Sequence, residues 1–322
     1  GNEQIVLPLK KGADITKLAP EFTLTEGATI EPASGTVRDF TNPQKYTVTS
    51  QDKNWKKVYE VSAIFSGIPT SYHFEETIPY KNKNGETIYY NFRETDAIGN
   101  YLNWTNANEG FDYTGVKTEP NDYPTSPAPN GVKGNCVKLT TKSTGDLGAK
   151  LKMYIAAGNL FIGEYIRTDG TNGILGFGKE FTARPTKLKG YYKYTTAPIT
   201  YLPSKSNTAD YNRFLPYQNK PDTCSVYIAL GDWENPVEIR TNPRDRKLFD
   251  KNDPHVIAYA EFNSGTTVSS YTPLELNLKY NSTSRIPTYL IVVCSASKYG
   301  DYFTGAAGAT LIIDEFSLEY DY

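Results

Sequence analysis

The chain is poor in the side chains that most catalytic and metal chemistry draws on. It has two histidines, one methionine and three cysteines in 322 residues. Cys136, Cys224 and Cys294 lie far apart and no C-x-x-C occurs, so His73 and His255 have no partners for a zinc set. An odd thiol count allows one disulfide at most within a monomer, and the spacing does not choose the pair. Cys294, inside YLIVVCS, reads as a buried thiol. No run of about 18 apolar residues exists, so no transmembrane helix is encoded. Neither charge dominates: 34 basic side chains face 36 acidic ones. That balance gives no general polyanion surface and argues against nucleic-acid binding. There is no G-x-S-x-G, and neither histidine has a Ser or Cys partner; His255, after Pro254, reads as a surface or edge residue. Gly176-Phe177-Gly178 lacks the Lys-Ser pair and following helix of a phosphate loop.

What the chain does have is tyrosine, 26 of them, with 25 glycines and 20 prolines. Many rings, many turn formers and no sustained helical period predict an all-β protein. Its length predicts two domains. Residues 1–66 read as a small sandwich with strand signals at 5–9, 21–32, 44–52 and 56–65. In the last of these Tyr59, Val61, Ala63 and Phe65 share a face at period two. This pattern is similar to immunoglobulin-like modules, although 66 residues are few for seven strands. The module reads as a spacer or docking unit. Gly67 and Pro69, within SGIPTSY (66–72), mark a linker.

Residues 67–322 form the second predicted domain. Strand signals recur at IYYNF (88–92), CVKLTT (136–141), KLKMYIAAG (150–158), SVYIAL (225–230), LELNLKY (274–280) and TYLIVVCS (288–295), the last apolar on both faces and therefore central. Ten or so strands without a helix predict a larger jelly-roll β-sandwich. No repeat of about 40–50 residues supports a propeller. Residues 93–135 read as one long irregular wall holding Trp104.

The stretch 156–195 combines small residues, Glu164, the bases Lys179, Arg184, Lys187, Lys189 and Lys193, and the rings Phe161, Tyr165, Phe177, Tyr191, Tyr192 and Tyr194. Rings that cover flat faces, beside fixed polar groups, suit a carbohydrate. Two core strands with solvated lysines would read the same way.

Three segments here, AGNLFIGEY (157–165), FGKEFTARPTKLKGYYKY (177–194) and DYFTGAAGATLIIDEFSLEY (301–320), resemble the family named "putative carbohydrate metabolism domain" of Gram-negative gut bacteria; NWTNANEG (103–110) and LTTKSTGDLGAKL (139–151) match more weakly. The resemblance implies glycan biology and export, to the periplasm or the outer-membrane surface. A signal peptide or lipid anchor would have been removed before Gly1, which replaces the usual Met. Jelly-roll glycan-binding modules also share a structural calcium between a Phe-Glu near the start and an Asp on the last strand. By position these are Glu75 and Asp314, and calcium needs six to eight oxygens. No other cofactor is expected.

The expected carbohydrate-binding residues are Trp104, Asn159, Glu164, Arg184, Lys189, Tyr192, Tyr194 and Trp233. The E-x-D-x-x-E pattern of jelly-roll endoglucanases is absent. Glu319 and Asp321 have only its opening spacing, and Glu164 with Asp232 or Glu261 are pairs of convenience. The sequence therefore points to a non-catalytic oligosaccharide- or polysaccharide-binding protein of a glycan-utilisation system, docked to its other surface proteins. A glycoside hydrolase or lyase with a non-standard acid pair and a cell-surface adhesin are the alternatives. The basic cluster adds the expectation of an acidic ligand.

Overall fold

The computed structural model describes residues 3–9, 12–65, 67–170 and 172–320. The first sheet is built in the order Gln4–Leu9, Lys56–Phe65, Gln44–Thr49, Thr29–Glu31. Its first pair is parallel and the other two are antiparallel. Period-two alternation turns Tyr46 and Val61 to one side, where they meet Phe40 and the partly buried Ile15, Leu18 and Phe22. Ile15, Leu18 and Phe22 come from the chain before the second strand, which holds a 3-10 turn at Ile15–Lys17, and among the described residues the pairing opposite the sheet is the Leu18–Arg38 bridge. The module is thus an abbreviated sandwich, as its few residues predict.

The predicted linker does not behave as a solvated one. Ile68 is 6% exposed and Tyr72 is fully buried. Ser71–Tyr72 pairs with the last strand, and the Leu318 amide donates to the Thr70 carbonyl at 2.8 Å. Ile64 of the first sheet packs against the larger core, and the Thr182 hydroxyl donates to the Phe65 carbonyl at 3.0 Å. Gly67 and Pro69 mark where the strand pattern breaks, but the apolar residues around them seat the crossing in the core.

Beyond it lies a β-sandwich of jelly-roll type. One sheet runs Val268–Asn277, Lys187–Thr195, Thr310–Glu319, Cys136–Thr140, Thr125–Ala128; the other runs Asn159–Phe161, Tyr289–Ser295, Cys224–Gly231, Val256–Ser264, Lys279–Tyr280. Leu188, Tyr194, Leu311 and Ile313 face Val226, Ile228, Leu290 and Val292 across the core. Tyr289–Ser295 is apolar on both faces because Ile291 enters a second core, with Phe161, Phe177 and Trp233. A small sheet, Gly163–Asp169, Asn172–Phe177 and Val237–Ile239, borders that core. Three short helices, Asn108–Asp112, Gly145–Lys150 and Thr208–Phe214, decorate the connections. All three cysteines are free and buried.

The structure departs from simple expectation in two places. Strict period-two alternation along ATLIIDEFSLEY puts Ile312, Asp314, Phe316 and Leu318 on one face. A bulge intervenes: the register against Lys187–Thr195 shifts between Lys189 and Tyr191, where Glu315 takes φ +50°. Parity flips there, so Leu311 and Ile313 face the core before the bulge and Phe316 and Leu318 after it. Second, residues 93–135 are not one irregular wall. They hold the strand Tyr101–Trp104, the helix Asn108–Asp112 and the strand Thr125–Ala128. In YLNW, Leu102 and Trp104 point inward while Tyr101 and Asn103 are exposed, a period-two signal too short to stand out.

Opposite the bulge Gly190 lies so close to Phe316 that an added Cβ would sit 2.2 Å from the ring. Gly190→Ala must displace a buried aromatic, and should destabilise by about 1–3 kcal/mol in urea unfolding. Wild-type stability in that variant would show that the ring has room to move.

Candidate functional site

A three-stranded antiparallel sheet, Glu76–Lys81, Thr87–Thr95 and Tyr101–Trp104, forms one wall of a cleft. The cleft encloses about 720 Å³ and is lined from this sheet by Asn91, Tyr101 and Asn103. Asn106 and Glu109 after the sheet, Glu164 and Lys179 near the small sheet, and Gly67 and Ile68 at the module junction complete it. Direct pairing across the strands fixes who shares a face: Arg93 lies opposite Asn103, and Thr95 opposite Tyr101.

Hydrogen bonds then orient the polar groups. The Arg93 Nε donates to Asn103 Oδ1 at 2.8 Å, and its guanidinium lies 5.3 Å from the Tyr101 ring centre. Asn106 Nδ2 donates to Asn91 Oδ1 at 3.0 Å. This leaves the amide nitrogens of Asn91 and Asn103 without acceptors among the described residues. The Glu109 carboxylate likewise has no donor there. Tyr101 is 60% exposed. Glu164 pairs with Lys179 at 3.2 Å, both partly in solvent.

Of the eight residues expected from sequence, Trp104 and Glu164 line this cleft. Trp104 is only 2% exposed and packs edge-on against Tyr72 at 5.1 Å, so it supports the cleft from beneath and offers no open ring face. Asn159 is a positioning residue. Its Oδ1 accepts from the Ala107 amide at 3.0 Å and holds the loop between Asn106 and Glu109. The other five lie elsewhere. Tyr192 and Tyr194 point into the core, the first against Phe262 and the second donating to the Ala296 carbonyl at 2.9 Å. The outward ring of that strand is Tyr191, 37% exposed. Trp233 is buried against Phe249 in the second core. Arg184 braces a turn, donating to the carbonyls of Arg285 and Ser282 at 2.5 and 2.6 Å and covering Tyr280. Lys189 pairs with Glu319 at 3.1 Å on the outer face of its sheet.

The acid pairs drawn from sequence also separate. Asp232 is gripped by Arg285 at 2.9 and 2.5 Å, and Glu261 by Lys251 at 2.7 Å, both away from the cleft. Asp321 lies outside the described residues. The carboxylate that does share the cleft with Glu164 is Glu109. Sequence reasoning passed over Glu109, Asn91, Asn103, Asn106 and Tyr101. The Tyr101–Trp104 alternation was the available signal for two of them.

Comparison with known proteins agrees with the architecture. A family model described as "Putative carbohydrate metabolism domain" matches residues 73–319. The chain belongs to that family. A second model, described as "SGBP, N-terminal", matches residues 1–63 of this putative carbohydrate metabolism domain protein. A solved structure described as a putative glycoside hydrolase from Bacteroides thetaiotaomicron is 34% identical over all of this chain and 92% of its own, with a TM-score of 0.63. Another, described in the same words from Bacteroides vulgatus, is 31% identical over 80% of this chain and all of its own, with a TM-score of 0.62. No curated protein matches the chain.

The carboxylates expected to share calcium, Glu75 and Asp314, serve this family member in another way. Both oxygens of Glu75 accept from the Asn135 amide, at 3.0 and 3.1 Å, and Oε2 also accepts from Asn135 Nδ2. Asp314 accepts from the amides of Lys133 and Glu315 at 3.2 and 2.8 Å. Donors aimed at these oxygens make the pair a clamp on the 131–135 loop, and the described residues hold no cluster of three or more His, Cys, Asp or Glu side chains placed for a metal.

Beside the clamp, a smaller hollow of about 350 Å³ is lined by His73, Glu76, Glu94 and Glu315. Glu94 is 6% exposed and accepts from the Phe74 amide at 2.5 Å. Burial pushes its carboxyl from 4.5 up to about 7, with the Phe74 amide and His73 opposing the rise. Between those values the folded chain keeps a proton that the unfolded chain has lost. Stability from this group therefore falls as pH rises from about 4.5 to about 7, then levels off. Glu94→Gln should flatten that part of a pH series of urea midpoints. An unchanged slope would assign the titration to another group.

Proposed function

We propose that this chain is an exported carbohydrate-binding protein of a glycan-utilisation system, taking an oligosaccharide in the cleft beside Tyr101 and Asn103. In this reading residues 1–66 are a docking module and residues 67–322 the ligand-bearing domain. The observation that carries it is the union of an exposed ring with unpartnered amide donors and an unpartnered carboxylate. A sugar hydroxyl both donates and accepts, so it is met on both counts, while the apolar face of a pyranose can cover Tyr101. Membership in a carbohydrate-related family supports the reading, and the match described as "SGBP, N-terminal" supports a surface role. None of the described helices is long and apolar enough to cross a membrane.

A glycoside hydrolase is the second reading, favoured by the presence of Glu109 and Glu164 in one cleft and by the names of the two similar structures. Both carboxylates are exposed, whereas a general acid working at neutral pH is usually sheltered in an apolar pocket. That contrast places binding ahead of hydrolysis.

Tyr101→Ala and Asn103→Ala should each weaken binding in titration calorimetry against an oligosaccharide panel by about 1 kcal/mol, roughly fivefold. Both side chains are exposed, so the circular dichroism spectrum should not change. Full affinity in both variants would move the site elsewhere. Reducing-end release that disappears in both Glu109→Gln and Glu164→Gln would establish the second reading instead.

A further inference from the structure

We propose that the cleft selects neutral glycans over uronate-containing ones, with Glu109 as the discriminating residue; the inference rests on the carbohydrate-binding reading above. The charged groups lining the cleft are Glu109, Glu164 and Lys179. Lys179 is committed to Glu164 at 3.2 Å, which leaves Glu109 as the uncompensated charge. The Arg93 guanidinium, on the same sheet face as Asn103 and Tyr101, is engaged by Asn103 at 2.8 Å and lies 3.8 Å from Glu76.

The bases that the sequence concentrates between 184 and 193 do not reach this space. Lys187 and Lys189 pair with Glu275 and Glu319 at 3.2 and 3.1 Å, and Lys193 covers Tyr271 at 4.3 Å. Arg184 is spent on two carbonyl groups. The expected preference for an acidic ligand therefore loses its structural ground. A uronate entering the cleft would give up water, find no uncommitted cation among the described lining residues and meet a like charge at Glu109. A neutral hydroxyl donates to the same carboxylate and accepts from Asn91 or Asn103. Discrimination thus comes from repulsion as much as from fit.

The test compares affinities, by calorimetry at low and high salt, for neutral xylo-, manno- and cello-oligosaccharides, for oligogalacturonate and glucuronoxylo-oligosaccharides, and for deacetylated chito-oligosaccharides. The readout is the ratio of neutral to uronate affinity. In the wild type it should be about tenfold or more, and should shrink as salt screens the charge. Glu109→Gln should narrow the ratio by about fivefold, whatever happens to each affinity alone. Lys179→Met, which leaves Glu164 uncompensated, should widen it. Equal or tighter uronate binding, or a ratio unmoved by Glu109→Gln, would each overturn the selectivity, whereas tighter binding of the cationic oligosaccharides that Glu109→Gln abolishes would support it. Binding of no glycan of any charge would overturn the carbohydrate reading on which it rests.

Discussion

The cleft exists because five buried rings tie its sheet to the last strand of the sandwich. Phe74 lies 5.8 Å from Phe316, 6.4 Å from Phe92 and 5.6 Å from Trp104, and Trp104 lies 5.1 Å from Tyr72. Full burial of each such ring stabilises by about 1.5–3 kcal/mol, and favourable ring pairs add about 0.5–1.5 kcal/mol each. Phe92 and Trp104 sit opposite one another on adjacent strands, so one face of the cleft's own sheet is committed to this cluster. The opposite face is then obliged to present Asn91, Asn103 and Tyr101. The polar surface of the cleft is the complement of an apolar packing requirement.

The bulge at Asp314–Glu315 lets that cluster form. Without an extra residue, Phe316 would follow the parity of Ile312 and point away from Phe74. With it, Gly190 gives the ring space and Asp314 turns beneath the 131–135 loop, where amide donors satisfy it. Burial still raises the Asp314 carboxyl above its usual range, the amides of Lys133 and Glu315 opposing that rise. A buried acid here is therefore compatible with a purely structural task.

Fold class was readable because alternation in LELNLKY and the doubly apolar YLIVVCS leave little choice of partner. The site was far less readable. Tyr192 and Tyr194 carry the same sequence signature as a binding platform, yet strand parity sends them inward and leaves Tyr191 outside. Trp104 drew attention as a large ring among polar neighbours, while the residues that face the cleft, Tyr101 and Asn103, differ from it only by one step of alternation. Asn91 and Glu109 lie 18 residues apart and meet through tertiary packing alone, so no local pattern could pair them. Lysines in KLKGYYKY read as a ligand-facing cluster because sequence does not reveal that Glu275 and Glu319 arrive from other strands.

Ile64 and Ile68, on either side of the crossing between the two modules, both rest on the larger core. A joint packed in this way lacks the swivel of a Gly- or Ser-rich tether. The mouth of the cleft keeps a set bearing relative to the first module, so on the proposed reading a long polymer could be engaged without first freezing a loose arm. On that reading the same stiffness restricts the approach angles open to a bulky polysaccharide, adding orientation to contact chemistry.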